Sequence, residues 1–399
     1  MLTDEACQRY AEVMLWALQT ARRSRFRRGD AVALRFGLPG LPLAERIYAL
    51  LIAKGFNPVV KPLPSAAMER AFYRGANRRQ LAFVAPGEED LYRHLHGSIY
   101  IHAPESLTHL EGVDPERIGR SALARKPLKD ILDRRDEAGA FGWTLCAWPT
   151  AEAAAKAGLN LEAYGRQIVR ACFLDRSDPV AQWRRTLRRA SAIKAWLDAL
   201  PVRALRLTSA RCDLEIVPGA HRRWLGLSGH NIPSFEIFIS PDWRGTRGHF
   251  YADQPSYRSG NRVSGVRLEF AQGRVCSASA QEGESFLKRQ LAVDPGACRL
   301  GEFSLTDRRF SRIACFMANT LFDENFGGAH GNCHVALGSA YTDSFAGDPA
   351  RLTARRRRAL GFNESALHWD LVNTEDRQVE ARLADGRTLT IYRDGKFLY

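Results

Sequence analysis

Two hydrophobic patterns divide the chain. In the first half, short apolar runs alternate with longer amphipathic stretches. "DAVALRF" (30–36) reads as a buried strand. A Pro/Gly turn follows it, then the helical spacing of "PLAERIYALLIAKG" (42–55), where Gly55 suits a C-terminal cap. "NPVVKPLP" (57–64), "QLAFVAP" (80–86) and "GSIYIHAP" (97–104) read as further strands with helical stretches around them. Such βα alternation predicts a parallel, Rossmann-like sheet. The turn after the first strand, "GLPGLPLAE", has two prolines and the wrong glycine spacing for GxGxxG, which disfavours a dinucleotide site.

The middle of the chain turns helical, from "TAEAAAKAGLNLEAYGRQIVRACF" (150–173) to "DPVAQWRRTLRRASAIKAWLDALP" (178–201). Asp178 before Pro179 is a strong helix start, because aspartate caps and proline fits the first turn. Beyond Pro201 the pattern becomes strand-rich: "ALRLTSARCDLEIVPG", "SFEIFISP", "VSGVRLEFAQGRVCSASA" and the end "VEARLADGRTLTIYRDGKFLY". The Asp-Gly pairs in "ADGR" and "RDGK" are hairpin signals. The expected fold is an N-terminal Rossmann-like α/β scaffold domain (1–201) ending in a helical segment, then a strand-rich mixed α/β domain (202–399).

Composition narrows the class. With 45% hydrophobic and 26% charged residues over 399 positions, the chain has the make-up of a globular protein with room for two cores. No apolar run approaches the roughly 20 residues of a membrane-spanning helix. The acidic start "MLTDEACQRYAEVMLW" is unlike a signal peptide, so a cytoplasmic location is expected. Eight scattered cysteines without a CxxC pair argue against a zinc ribbon or a disulfide scaffold.

The net charge is +14, from 58 basic and 44 acidic residues, which raises the question of an anionic partner. The clearest basic runs are "ARRSRFRR" (21–28), "WRRTLRR" (183–189) and "RRRR" (355–358). In the second, four arginines share one helical face and Trp183, Leu187 and Ala190 the other, the pattern of a solvated face on a packed helix. No nucleic-acid-binding signature accompanies the runs, so specific nucleic-acid binding is not expected.

The chemistry-bearing residues gather in the second half, in four clusters. "SGHNIPSFEIFISP" (228–241) carries His230, Asn231 and Glu236, and "GACRLGEFSLTD" (296–307) carries Glu302 directly after Gly301. "DENFGGAHGNCHVALGSAYTD" (323–343) carries Glu324, His330, His334 and Tyr341. "NESALHWDLV" (363–372) carries His368 and Asp370, which on a strand point to the same face. Glu236 sits inside a hydrophobic run, where an unpaired carboxylate costs several kcal/mol. Mixed carboxylates and imidazoles suit hard-to-borderline divalent ions such as Zn²⁺, Co²⁺ or Mn²⁺. Their surplus of carboxylates suggests two ions about 3.5–4 Å apart.

The wording and order of these segments resemble the thermophilic-type metallo-aminopeptidases, the family of aminopeptidase T and aminopeptidase S. The likeness runs over nearly the whole chain, through "RRGDAVALRF", "GLNLEAYGRQIVRACFLDRSDPVAQW", "HNIPSFEIFISPDWRGTRGHFYADQPS", "LGEFSL", "LFDEN", "CHVALGSAY" and "LHWD". It implies a strand-rich catalytic domain holding two divalent metals that removes amino-terminal residues from peptides with a free N-terminus. It implies Glu236, Glu324, His334, His368 and Asp370 as metal ligands, Glu302 as the carboxylate bridging the ions, and Tyr341 as an assisting tyrosine. It also implies a homodimer. This chain departs from the family pattern in Ser234-Phe235 before Glu236 and in the longer "FGGAHGN" after Glu324, so His330 reads as a loop residue. The residues by themselves leave two other readings open: a two-metal hydrolase of another bond, such as a phosphoester, and a catalytically silent basic metal- or nucleic-acid-binding protein.

Overall fold

A computed structural model describes residues 2–399. The chain forms two compact units: Met1–Gln182 with Ser228–Ile232 and Ser259–Asn261, and Trp183–Leu227 with Pro233–Arg258 and Arg262–Tyr399. The fold is α/β in the first unit and mixed α+β in the second.

The first unit is built on a parallel sheet in the order Asn57–Pro62, Ala31–Phe36, Gly97–His102, Gly142–Ala147 and Asn231–Ile232. Its central strands are buried because both faces are covered, and they read as near-continuous apolar runs such as "AVALRF". The helix Asp4–Ala21 packs on the helix Leu41–Ala53 and on the strand Gly142–Ala147. Thr3 caps it by accepting from the Ala6 amide at 3.2 Å, and Tyr10 ties its buried face to the sheet by donating to the Ala147 carbonyl.

One expected strand is absent here. In "QLAFVAP", Gln80 and Leu81 close a short helix, Arg78–Leu81, and residues 82–86 are irregular. A capping box on Asn77 favours that helix turn, and only Leu81 finds a core position while Phe83 is 63% exposed.

The second unit contains an eight-stranded antiparallel sheet and a four-stranded one. The large sheet runs from Arg274–Ser279 through Val266–Ala271, Asp242–Ala252, Asp213–Val217, Val202–Ser209, Arg377–Leu383 and Thr388–Arg393 to Lys396–Phe397. Both Asp-Gly hairpins form: Arg382 pairs with Thr388 around "ADGR", and Arg393 pairs with Lys396 around Asp394-Gly395. The helix Pro179–Ala199 buries Trp183 and Ala190 and leaves Arg184, Arg185, Arg188 and Arg189 exposed, as its spacing predicts.

The small sheet has the order His368–Asn373, Asn332–Gly338, Leu300–Thr306 and Glu236–Ile239, all antiparallel. Its two middle strands are buried along their entire length. Strands buried on both faces are ordinarily apolar on both, yet here only one face is apolar.

Candidate metal centre

Alternation along the small sheet separates its two faces. Phe303 and Leu305, with their partners Ile239, Ile237, Val335 and Cys333, form the apolar face. The opposite face carries Glu236 beside Thr306, His334 beside Ser304, Glu302 beside Ala336, and then Asp370 and His368 beside Ala336 and Gly338. Five charged or imidazole side chains therefore project from four strands onto one surface. Small residues at Ser304, Ala336 and Gly338 leave space between them.

Two glycines set the positions at the end of this face. Gly301 forms the irregularity between Leu300 and Glu302, and a Cβ there would lie 2.4 Å from the Ser339 carbonyl oxygen. Gly338 has φ +102°, and a Cβ there would meet the Leu367 carbonyl oxygen at 2.1 Å. Only glycine allows both backbone approaches.

The geometry is dense. The His334 Nε2 atom lies 3.1 Å from Glu302 Oε1, 3.4 Å from Glu236 Oε2 and 3.9 Å from Asp370 Oδ1. The His368 Nε2 atom lies 3.4 Å from Asp370 Oδ1 and 3.9 Å from Glu302 Oε2. Glu302 thus stands between the two imidazoles. Glu236, Glu302 and His334 are buried, and each offers a donor atom within 4.8 Å of the others.

Glu324 approaches from outside the sheet, at the C-terminal end of the short helix Thr320–Asp323. Its charge is felt by the same group: burial, then Glu236, Asp370 and Glu302, push its carboxyl well above the usual range. Tyr341 joins at the rim, its ring 4.9 Å from the His368 ring and 42% exposed. Desolvation and the carboxylates of Glu302, Asp370, Glu324 and Glu236 raise its phenol well above the ordinary value.

Burial pushes Glu236 up to about 8 against the pull of His334, with Glu302 and Asp370 adding to the rise. Desolvation alone would lower His334, but the bond to Glu302 and the charges of Glu236, Glu302 and Asp370 outweigh it and hold it at about 9. His368 is held at about 9 in the same way, chiefly by Asp370. Asp370 would be raised by desolvation, yet His368, His334 and Arg258 bring it down to about 2.

These shifts and distances test whether the residues fit a cation. Four carboxylates and two imidazoles crowd a desolvated face, and one imidazole nitrogen confronts three carboxylates. Without added positive charge the site stays neutral only by retaining protons on acids that are ionised in water. A divalent ion relieves this repulsion, and the oxygen and nitrogen donors match hard-to-borderline ions. The donor set fits. Cys333 is no part of it: it lies on the apolar face, and burial pushes its thiol up to about 12.

The sequence profile described as thermophilic metalloprotease (M29) matches residues 3–397.

The chain belongs to this M29 family.

As a member it is a metal-dependent hydrolase. Aminopeptidase T of Thermus aquaticus is 31% identical over 308 residues, covering 72% of this chain and 73% of that protein. Aminopeptidase 2 of Geobacillus stearothermophilus is 30% identical over 325 residues, covering 75% of each. The solved structure of wild-type AmpT from Thermus thermophilus superposes with a TM-score of 0.80 at 23% identity, over 98% of this chain and 99% of that one, which shows a shared fold.

Not every candidate of the M29 chain converges. His230 belongs to the first unit, where its ring lies tilted against Trp143 with centroids 4.5 Å apart and bonds Ser228. His330 stays in its loop, 3.4 Å from Asp376.

Three supporting residues carry no pattern of their own in the sequence. Asn325 is fully buried: its Oδ1 accepts from the Phe235 and Glu236 amides at 2.5 and 3.1 Å, and its Nδ2 donates to the Leu321 carbonyl at 2.9 Å and to Glu324 Oε1 at 3.4 Å. Arg258 donates from Nη1 to the His368 carbonyl at 2.7 Å and acts on Asp370 as the protein's own nearby cation. Asp323 accepts from the Met317 and Asn319 amides at 2.7 and 2.8 Å. The only trace of the first and third is their place beside Glu324 in "DEN".

Proposed function

We propose that this M29 chain is an aminopeptidase working with two divalent ions, zinc, cobalt or manganese, held by Glu236, Glu302, Glu324, His334, His368 and Asp370. The observation that carries the reading is the convergence of Glu236, Glu302 and His334 on one buried sheet face. Glu302, which stands between the two imidazoles, would be the carboxylate that both ions share. Bound there, the ions would supply Lewis-acid polarisation of the scissile carbonyl and a hydrolytic nucleophile at neutral pH.

The remaining work falls to side chains. Glu302 Oε1 is engaged by His334, whereas Glu324 Oε1 receives only the 3.4 Å contact from Asn325. Glu302 or Glu324, the carboxylates beside the site of the attacking water, would take its proton and return it to the leaving amine. The Tyr341 phenol carries its proton at neutral pH, as tyrosines ordinarily do, so its Oη would serve as a hydrogen-bond donor for the oxyanion that develops on the carbonyl. A free α-ammonium group finds carboxylates at this site, and a blocked one loses that pairing, which confines cleavage to the chain end.

The relatives named aminopeptidase T and aminopeptidase 2 support peptides over phosphoesters as substrates. The test is amino-acid release from dipeptides, free or N-acetylated, with added Zn²⁺, Co²⁺ or Mn²⁺ or with EDTA. Cleavage of the free peptides alone, abolished by EDTA, supports the reading. Equal cleavage of acetylated peptides, or no cleavage with any metal, refutes it.

A further inference from the structure

Beside the candidate metal centre, within the second unit, lies a small polar cavity that includes Asp370 in its wall. Its other walls come from Ser256 and Tyr257, from Asn319, Thr320 and Asp323, and from Val372. Asp370 and Val372 share the charged face of the small sheet, since Ala336 and His334 are their cross-strand partners. The cavity thus adjoins the reacting face laterally.

Its far wall is held in an uncommon conformation. Ala318, also in the wall, has φ +48°, which a non-glycine residue seldom adopts. Asp323 pins the peptide on each side of it through the Met317 and Asn319 amides, and Asn319 Oδ1 in turn accepts from the Leu321 amide. A buried carboxylate committed to two backbone amides fixes this wall, so it does not yield to a larger occupant. Strain held this firmly next to a reactive face points to a shaping role.

We propose that this cavity receives the side chain of the substrate's amino-terminal residue and restricts it to short ones, such as alanine or serine. The inference rests on the aminopeptidase reading and adds to it the substrate class. The hydroxyls of Ser256 and Thr320 and the amide of Asn319 offer partners to a small polar side chain. A leucine or phenylalanine side chain exceeds the space and meets a polar wall. Thr320 and Val372 set the depth, Thr320 from the exposed mouth and Val372 from the sheet.

The test compares kcat/KM for Ala-, Ser-, Leu- and Phe-amino-terminal dipeptides on the metal-loaded protein and on Thr320→Ala and Val372→Ala. The ratio between two substrates on one preparation is independent of how much protein folds correctly, so a poorly folding variant still reports. The wild type is expected to favour Ala and Ser. Either truncation is expected to raise the Leu-to-Ala ratio by about tenfold or more, the discrimination that one or two methyl groups exert in a closed pocket. A wild type that favours Leu or Phe, or ratios unchanged within twofold in both variants, overturns the subsite while leaving the aminopeptidase standing. Failure of the wild type to cleave any free dipeptide overturns both.

Discussion

Replacing Asn325 by alanine tests how the fold aims its two least sheet-bound carboxylates. The side chain is fully buried and satisfies four groups: the amides of Phe235 and Glu236, the carbonyl of Leu321 and, more weakly, Glu324 Oε1. Truncation leaves two buried amide N–H groups and one carbonyl without that partner. At about 1–3 kcal/mol for each unsatisfied buried group, less what relaxation recovers, the loss is about 2–5 kcal/mol. For a domain of this size that corresponds to a fall in Tm of about 5–15 °C. Calorimetry and urea unfolding of EDTA-stripped protein read it directly. Asn325→Asp is the informative partner, because it retains the acceptor for both amides but turns an oxygen toward the Leu321 carbonyl and Glu324. Saturating divalent metal is expected to restore more stability to the aspartate variant than to the alanine one, since added charge is offset by an ion and orphaned amides are not. A change below about 1 kcal/mol in Asn325→Ala would refute this account of how Glu236 and Glu324 are held.

Other consequences are equally direct. Tyr341→Phe is expected to lower kcat by about 10²–10³ with little change in KM, the usual cost of one oxyanion donor; a change confined to KM would contradict that role. Because His334 and His368 are both raised to about 9, each carries a proton at pH 7 that must leave before its Nε2 can bind a metal. Metal affinity should therefore rise as pH increases toward 9, and calorimetry at pH 7 in buffers of different ionisation enthalpy should show proton release. No release would contradict the site's protonation. Gly301→Ala is expected to destabilise the protein strongly, because its Cβ would meet the Ser339 carbonyl oxygen at 2.4 Å; an unchanged Tm would contradict the tight turn that sets Glu302.

How legible all this was in the sequence depends on what leaves a pattern. The strands 31–36 and 97–102 announce themselves as apolar runs, and the Asp-Gly hairpins near the C-terminus by their turn chemistry. His368 and Asp370 could be placed on one face because a strand repeats every second residue. Non-local pairing leaves no such trace: the fifth strand of the parallel sheet comes from Asn231–Ile232, far along the chain from the other four. "QLAFVAP" reads as a strand because hydrophobicity alone does not separate a strand from a capped helical turn followed by exposed chain. Asn325, Arg258 and Asp323 were silent for another reason. They act through bonds to backbone groups, whose partners are set by the fold and leave no periodicity of their own.

We propose that the charged face of the small sheet holds two ions. Equilibrium binding of Zn²⁺, Co²⁺ and Mn²⁺ to EDTA-stripped protein, followed by calorimetry and by metal analysis after dialysis, tests it most directly. The account predicts two tightly held ions per chain, with Glu302→Gln weakening both because that carboxylate stands between the two imidazoles. A single ion per chain, or two ions held unchanged in Glu302→Gln, would contradict it.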